Sequence, residues 1–140
     1  MGHDYLDLAD GHIQLNDFHI VTLGHFFAHC ASAASPESLG TDDQTLGELR
    51  SFFAGWNCLG PGVCVGTDFN TFATSPERYG VLRGLFDQTL DYIAVFGDLV
   101  PLDYLARHVN RPMRFFTAPQ PTRVYREAVE SLIELLPSGS

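Results

Sequence analysis

Apolar and polar residues alternate from Tyr5 to Leu15 around an Asp10-Gly11 step, the pattern of a β-hairpin whose two-residue turn requires positive φ angles. Counting outward from that turn pairs Ala9 with His12, Leu8 with Ile13, Asp7 with Gln14 and Leu6 with Leu15. This register collects Leu6, Leu8, Ile13 and Leu15 on one face. The period then becomes helical. Asn16 suits an N-cap, Asp17 complements the dipole of the first turn, and the spacing predicts a helix to about Ala34. Ile20, Leu23, Phe27, Cys30 and Ala34 form one stripe, while Phe18, Val21, Thr22, His25, His29 and Ser32 form the opposite one. So weak an amphipathicity implies a central helix that contacts protein on both sides.

Thr41-Asp42-Asp43-Gln44 matches a capping box ahead of Leu46, Leu49, Phe53 and Trp56, with Gly55 near the helix end. The glycine-bearing stretch from Asn57 to Phe72 predicts loop with short strands around Val63-Cys64-Val65 and Phe69 to Phe72. Ser75-Pro76-Glu77 starts the most regular helix, periodic through Tyr79, Leu82, Leu85, Phe86, Leu90, Ile93 and Phe96 to Gly97. A short helix over about Pro101 to Val109, a strand at Met113 to Thr117 and a last helix over Thr122 to Leu136 complete the chain. The expected fold class is α+β: an N-terminal β-hairpin and a few short strands packed with about four to five helices. The core is of the single layer type, and residues 1–140 form one globular domain.

Charge adds direction to this outline. Eight of the 17 acids (Asp4, Asp7, Asp10, Asp17, Glu37, Asp42, Asp43 and Glu48) precede the first arginine, Arg50, and the net charge is -9. Such a field repels nucleic acid and attracts basic partners. All eight basic residues are arginine. Without lysine there is no Walker A loop, Schiff-base enzyme of the pyridoxal phosphate type or kinase-style phosphate clamp. The uncharged run from Phe18 to Pro36 contains His19, His25 and His29, and is expected to be a buried helix, not a membrane span.

His25 and His29 stand four residues apart on one helix, a spacing that lets two imidazoles reach one metal ion. Phe26, Phe27 and Ala28 intervene, so no built-in glutamate base accompanies them. Cys30, Cys58 and Cys64 fit neither a zinc knuckle nor a disulfide scaffold, and are expected as reduced, largely buried thiols in a cytoplasmic protein. Gly60 to Gly66 departs from the spacing of a phosphate-binding loop, and no hydrolase or calcium motif occurs. Arg107, Arg111, Arg114, Arg123 and Arg126, interleaved with Phe115, Phe116 and Tyr125, have the composition of an interface, although Arg123 with Glu127 and Arg126 with Glu130 also have helical pairing distance.

Together these features predict a non-catalytic acidic protein-binding module without cofactor, directed at a basic protein partner and not at nucleic acid or membrane. In size, charge and composition the chain is similar to the immunity proteins that neutralise secreted toxins such as nucleases, and to the acidic chaperones of secreted effectors. Asp4, Asp7, Asp10, Asp17, Asp42, Asp43 and Glu48 are the expected partner-binding residues. The alternative is a small metal-binding protein or enzyme using His25 and His29, with a carboxylate such as Asp17.

Overall fold

The computed structural model describes residues 3–60, 63–109 and 118–137. Strands β1 (His3–Leu8) and β2 (Gly11–Asn16) form the expected antiparallel hairpin, but its register is shifted by two residues. Leu8 pairs with Gly11, Asp7 with His12, Leu6 with Ile13, Tyr5 with Gln14 and Asp4 with Leu15. The turn is therefore Ala9-Asp10, and Ala9 takes a φ of 53°. Asn70 holds that unusual residue from both sides: its Oδ1 accepts from Ala9 N at 2.8 Å and its Nδ2 donates to Ala9 O at 3.2 Å. Gly11 has a different duty, because a Cβ there would overlap the Leu135 side chain. A two-residue shift keeps each side chain on its face, so Leu6 and Leu8 are fully buried as expected.

Asn16 caps α1 (Asp17–Ala33) by accepting from His19 N at 2.9 Å. The helix packs against α2 (Asp43–Ala54), α3 (Pro76–Val95), α5 (Thr122–Leu135), the hairpin, and the second ladder of β3 (Asn57–Gly60) with β4 (Val63–Val65). Adjacent Phe26 and Phe27 explain its weak amphipathicity, since each centres its own aromatic group. Phe27 meets Phe53, Trp56, Phe69 and Phe86, while Phe26 meets Tyr92, Phe96, Tyr104 and Tyr125. Both are fully buried. At about 2–3 kcal/mol of burial each, they anchor α1 to both halves of the core.

Helix α2 starts one residue later than the capping-box match, with Asp42 as the cap that accepts from Thr45 N at 2.7 Å. Arg50 on α2 turns onto the end of α1, donating to Ala31 O at 2.9 Å and Ala34 O at 3.0 Å, and so satisfies carbonyls that a helix terminus leaves open. The strand expected at Phe69 to Phe72 is instead a 3-10 turn at Phe69–Thr71. Three-residue spacing lets Phe69 and Phe72 both enter the core from one tight turn, and they are 0% and 3% exposed.

Ser75 caps α3, with Pro76 at its first position. A short ladder of β5 (Leu99–Val100) with β6 (Gln120–Pro121), unforeseen from periodicity, brackets α4 (Leu102–His108). Thr122 fastens the entry to α5 by donating from Oγ1 to Gly97 O at 2.7 Å and from N to Asp98 O at 3.0 Å. The strand expected at Met113 to Thr117 lies outside the described residues. Buried apolar side chains from Leu6 to Leu136 form one contiguous core, and the architecture is α+β. Among the described residues no helix is long and apolar enough to cross a membrane.

Candidate interaction surface and histidine cleft

The hairpin alternation that buries Leu6 and Leu8 turns Tyr5, Asp7, His12 and Gln14 to the other face. Tyr5 is 45% exposed and meets the His12 ring edge-on at 4.8 Å. Strand β4 runs beside β1: Cys64 N donates to Asp4 Oδ2 at 2.8 Å and Thr67 Oγ1 donates to Tyr5 O at 3.3 Å. A single parallel bridge joins Asp7 to Asp68. This brings Val65, 43% exposed, alongside the hairpin with the exposed carboxylates of Asp10 and Asp68. No lysine or arginine occurs in β1, β2, β4 or residues 66–71.

The expected partner-binding acids do not form one group. Asp7 and Asp10 belong to the hairpin, where Asp10 is exposed and Asp7 half-buried. Asp4 is committed internally through Cys64 N and Tyr5 N. Asp17 is only 5% exposed, with Oδ1 at 3.6 Å from Cys64 Sγ, and so presents no carboxylate to the surface. Asp42 and Asp43 are exposed at the start of α2, and the Thr45 amide beside Asp42 holds its carboxyl below the usual range. Glu48 is paired with Arg78, whose guanidinium also donates to Phe72 O at 3.1 Å. Charge alone could not separate these cases, because capping and ion pairing depend on neighbours distant in sequence. Tyr5 and Val65 were outside the expected set, although strand alternation already directs Tyr5 outward.

His25 and His29 stack on different rings and line different clefts. His29 is exposed and stacks on Tyr92 at 4.3 Å, beside a shallow cleft that also includes Ser38 and Gln88. His25 stacks on His108 from α4 at 5.0 Å, with Tyr104 edge-on at 5.6 Å. It lines a different cleft of about 230 Å³ with Phe53, Trp56, Asn57, His108 and Val109. The Tyr104 and Tyr92 hydroxyls are 2.9 Å apart, joining α4 to α3. Burial, reinforced by His108 and His29, lowers the His25 pKa to about 4. Among the described residues no three His, Cys, Asp or Glu side chains are placed to hold a metal ion.

One of the two described cysteine side chains departs from expectation. Cys30 is free and buried, but Cys64 is disulfide-bonded, and its Cα partner across the β3–β4 ladder is Cys58. In the carboxy-terminal arginine group, Tyr125 is a core residue at 1% exposure, Arg123 lies 4.0 Å from Glu127 on the open face of α5, and Arg111, Arg114, Phe115 and Phe116 lie outside the described residues.

The fold and surface together define an α+β domain with a carboxylate-rimmed aromatic face on its hairpin and a separate imidazole-lined cleft. No protein-family model matches the sequence, and comparisons with curated proteins and with solved structures give no match either.

Proposed function

We propose that the protein is a non-catalytic binding module that captures a more basic protein through the outer face of its hairpin. The supporting observation is the exposure of Tyr5 and Val65 beside Asp7, Asp10 and Asp68 on elements without lysine or arginine. Exposed aromatic and aliphatic groups supply desolvated contact, while surrounding carboxylates steer a cationic partner and reject an anionic one. A nuclease is a natural partner of this kind, because a surface built for phosphates is cationic. The reading is therefore an inhibitor or immunity protein directed at a secreted toxin.

The compartment belongs to the same proposal. A cytoplasmic inhibitor is the form of the proposal, and the free, buried Cys30 fits it, whereas the disulfide at Cys64 removes part of the thiol argument for a reducing compartment.

The test is capture from host lysate and secreted fractions by wild type, by Tyr5→Ala and by the Asp7→Arg/Asp10→Arg double variant, followed by association kinetics with the captured protein. Wild type is expected to retain a basic protein stoichiometrically. Charge reversal should slow association about tenfold or more at low salt and less at high salt, whereas Tyr5→Ala should mainly speed dissociation. Equal kinetics for all three proteins would remove the hairpin face from the interaction.

A further inference from the structure

We propose that the cleft between α1, Trp56 and α4 is a binding site for a small aromatic carboxylate. Its volume, about 230 Å³, accommodates a single substituted ring, given that a cavity of roughly 150 Å³ holds benzene. Phe53, Trp56 and Val109 supply apolar walls, and His25, His108 and Asn57 supply the polar ones. In a chain with 17 acidic residues, no carboxylate is among the described residues lining this cleft. An apolar slot with two imidazoles and no internal counter-ion is complementary to a flat anion.

The geometry keeps the site assembled. Trp56 Nε1 donates to Ile20 O at 3.0 Å, so the indole is held by α1 and does not need the ligand to place it. His25 and His108 are stacked with their planes 27° apart, and Tyr104 is tied to Tyr92. The titratable groups facing His25 among the described residues are His29 on α1 and His108 and Tyr104 on α4, with Cys30 and Tyr92 behind Tyr104. Burial raises both the Tyr104 phenol and the Cys30 thiol further above their ordinary ranges, so neither contributes a negative charge near neutral pH. Burial and the two other histidines keep His25 neutral down to about pH 4. A carboxylate placed against the imidazoles reverses that preference, and binding below neutral pH takes up a proton.

Trp56 is the only tryptophan and lines the cleft, so its fluorescence reports on occupancy. The experiment titrates the whole protein with benzoate and with neutral benzamide at about pH 5.5 and pH 8, spanning the imidazole range. Benzoate should give a saturable change with a Kd on the order of 1 mM. Affinity should be roughly tenfold weaker at the higher pH, where binding no longer takes up a proton, and benzamide should bind at least tenfold more weakly than benzoate at the lower pH. His25→Gln should abolish the pH dependence, and His108→Gln should weaken benzoate binding at the lower pH at least tenfold by removing one of the two imidazoles that line the cleft. Should His25→Gln fail to fold, His108→Gln carries the test, since His108 is exposed at the end of α4. Absence of a saturable change, equal affinity for benzamide, or pH-independent binding in wild type would overturn the proposal. The site is separate from the hairpin face, so neither result bears on capture of a protein partner.

Discussion

Ala9 and Asn70 show how one side chain can decide a backbone conformation 61 residues away. A non-glycine residue in the left-handed region costs about 1 kcal/mol, and the two Asn70 hydrogen bonds offset that cost. Asn70→Ala is expected to lower stability by about 1–3 kcal/mol, read as a shift in the urea midpoint; a change below about 0.5 kcal/mol would mean that the turn holds itself. Tyr125 provides the opposite case. Its hydroxyl is buried near Thr22, whose own hydroxyl donates to Phe18 O at 2.9 Å, and it makes no hydrogen bond of normal geometry among the described residues. Burial accordingly raises its phenol to about 12. Tyr125→Phe removes the unpaired group and keeps the ring packed on Phe26, so stability should be unchanged or up to about 1 kcal/mol higher by the same measurement.

At the scale of elements, close approach outweighs helix propensity. Gly24 lies inside α1, where alanine is intrinsically better by about 1 kcal/mol, but a Cβ there would overlap the Trp56 ring. Overpacking costs about 1–3 kcal/mol, so Gly24→Ala should lower the melting temperature and shift Trp56 fluorescence. An unchanged or higher melting temperature would show that the indole can move aside. Besides its ladder with β3, strand β4 is held through Cys64, which is disulfide-bonded and whose amide donates to Asp4. Reductant should therefore lower the melting temperature, and Cys64→Ser should cost about 2–4 kcal/mol and become insensitive to reductant. Equal melting curves with and without reductant would contradict a stabilising bridge.

For the molecule as a whole, His25 couples stability to pH. Its folded-state pKa is depressed from 6.5 to about 4, so between these values the unfolded chain binds a proton that the folded one does not. The contribution is fully present above pH 6.5 and is lost as pH falls towards 4, the window set by those two values. Because His25 is partly open to solvent, the loss is discounted for screening to about 1–2 kcal/mol. Chemical denaturation across that window should show the decline in wild type and a shallower one in His25→Gln; identical slopes would place the imidazole in a solvated environment. The hairpin face acts at this scale too, since steering depends on the summed field of a chain with net charge -9 and not on any one aspartate.

Local rules were sufficient wherever the determining contacts are close in sequence. Asn16 capping α1, Ser75 and Pro76 opening α3, and the alternation that buries Leu6 and Leu8 all follow from neighbours within one turn or one strand. Tertiary structure decided what those rules leave degenerate. Asn70 and Leu135 selected the hairpin register, the core drew Phe69 and Phe72 into a 3-10 turn, and α4 supplied His108 as the ring against which His25 stacks. It also sorted the acids, burying Asp17, using Asp4 and Glu48 internally, and leaving Asp10 open. The physical reason is common to all: outside proline, a residue's intrinsic preference is worth at most about 1 kcal/mol, whereas a buried contact or hydrogen bond supplied from elsewhere in the chain can exceed it.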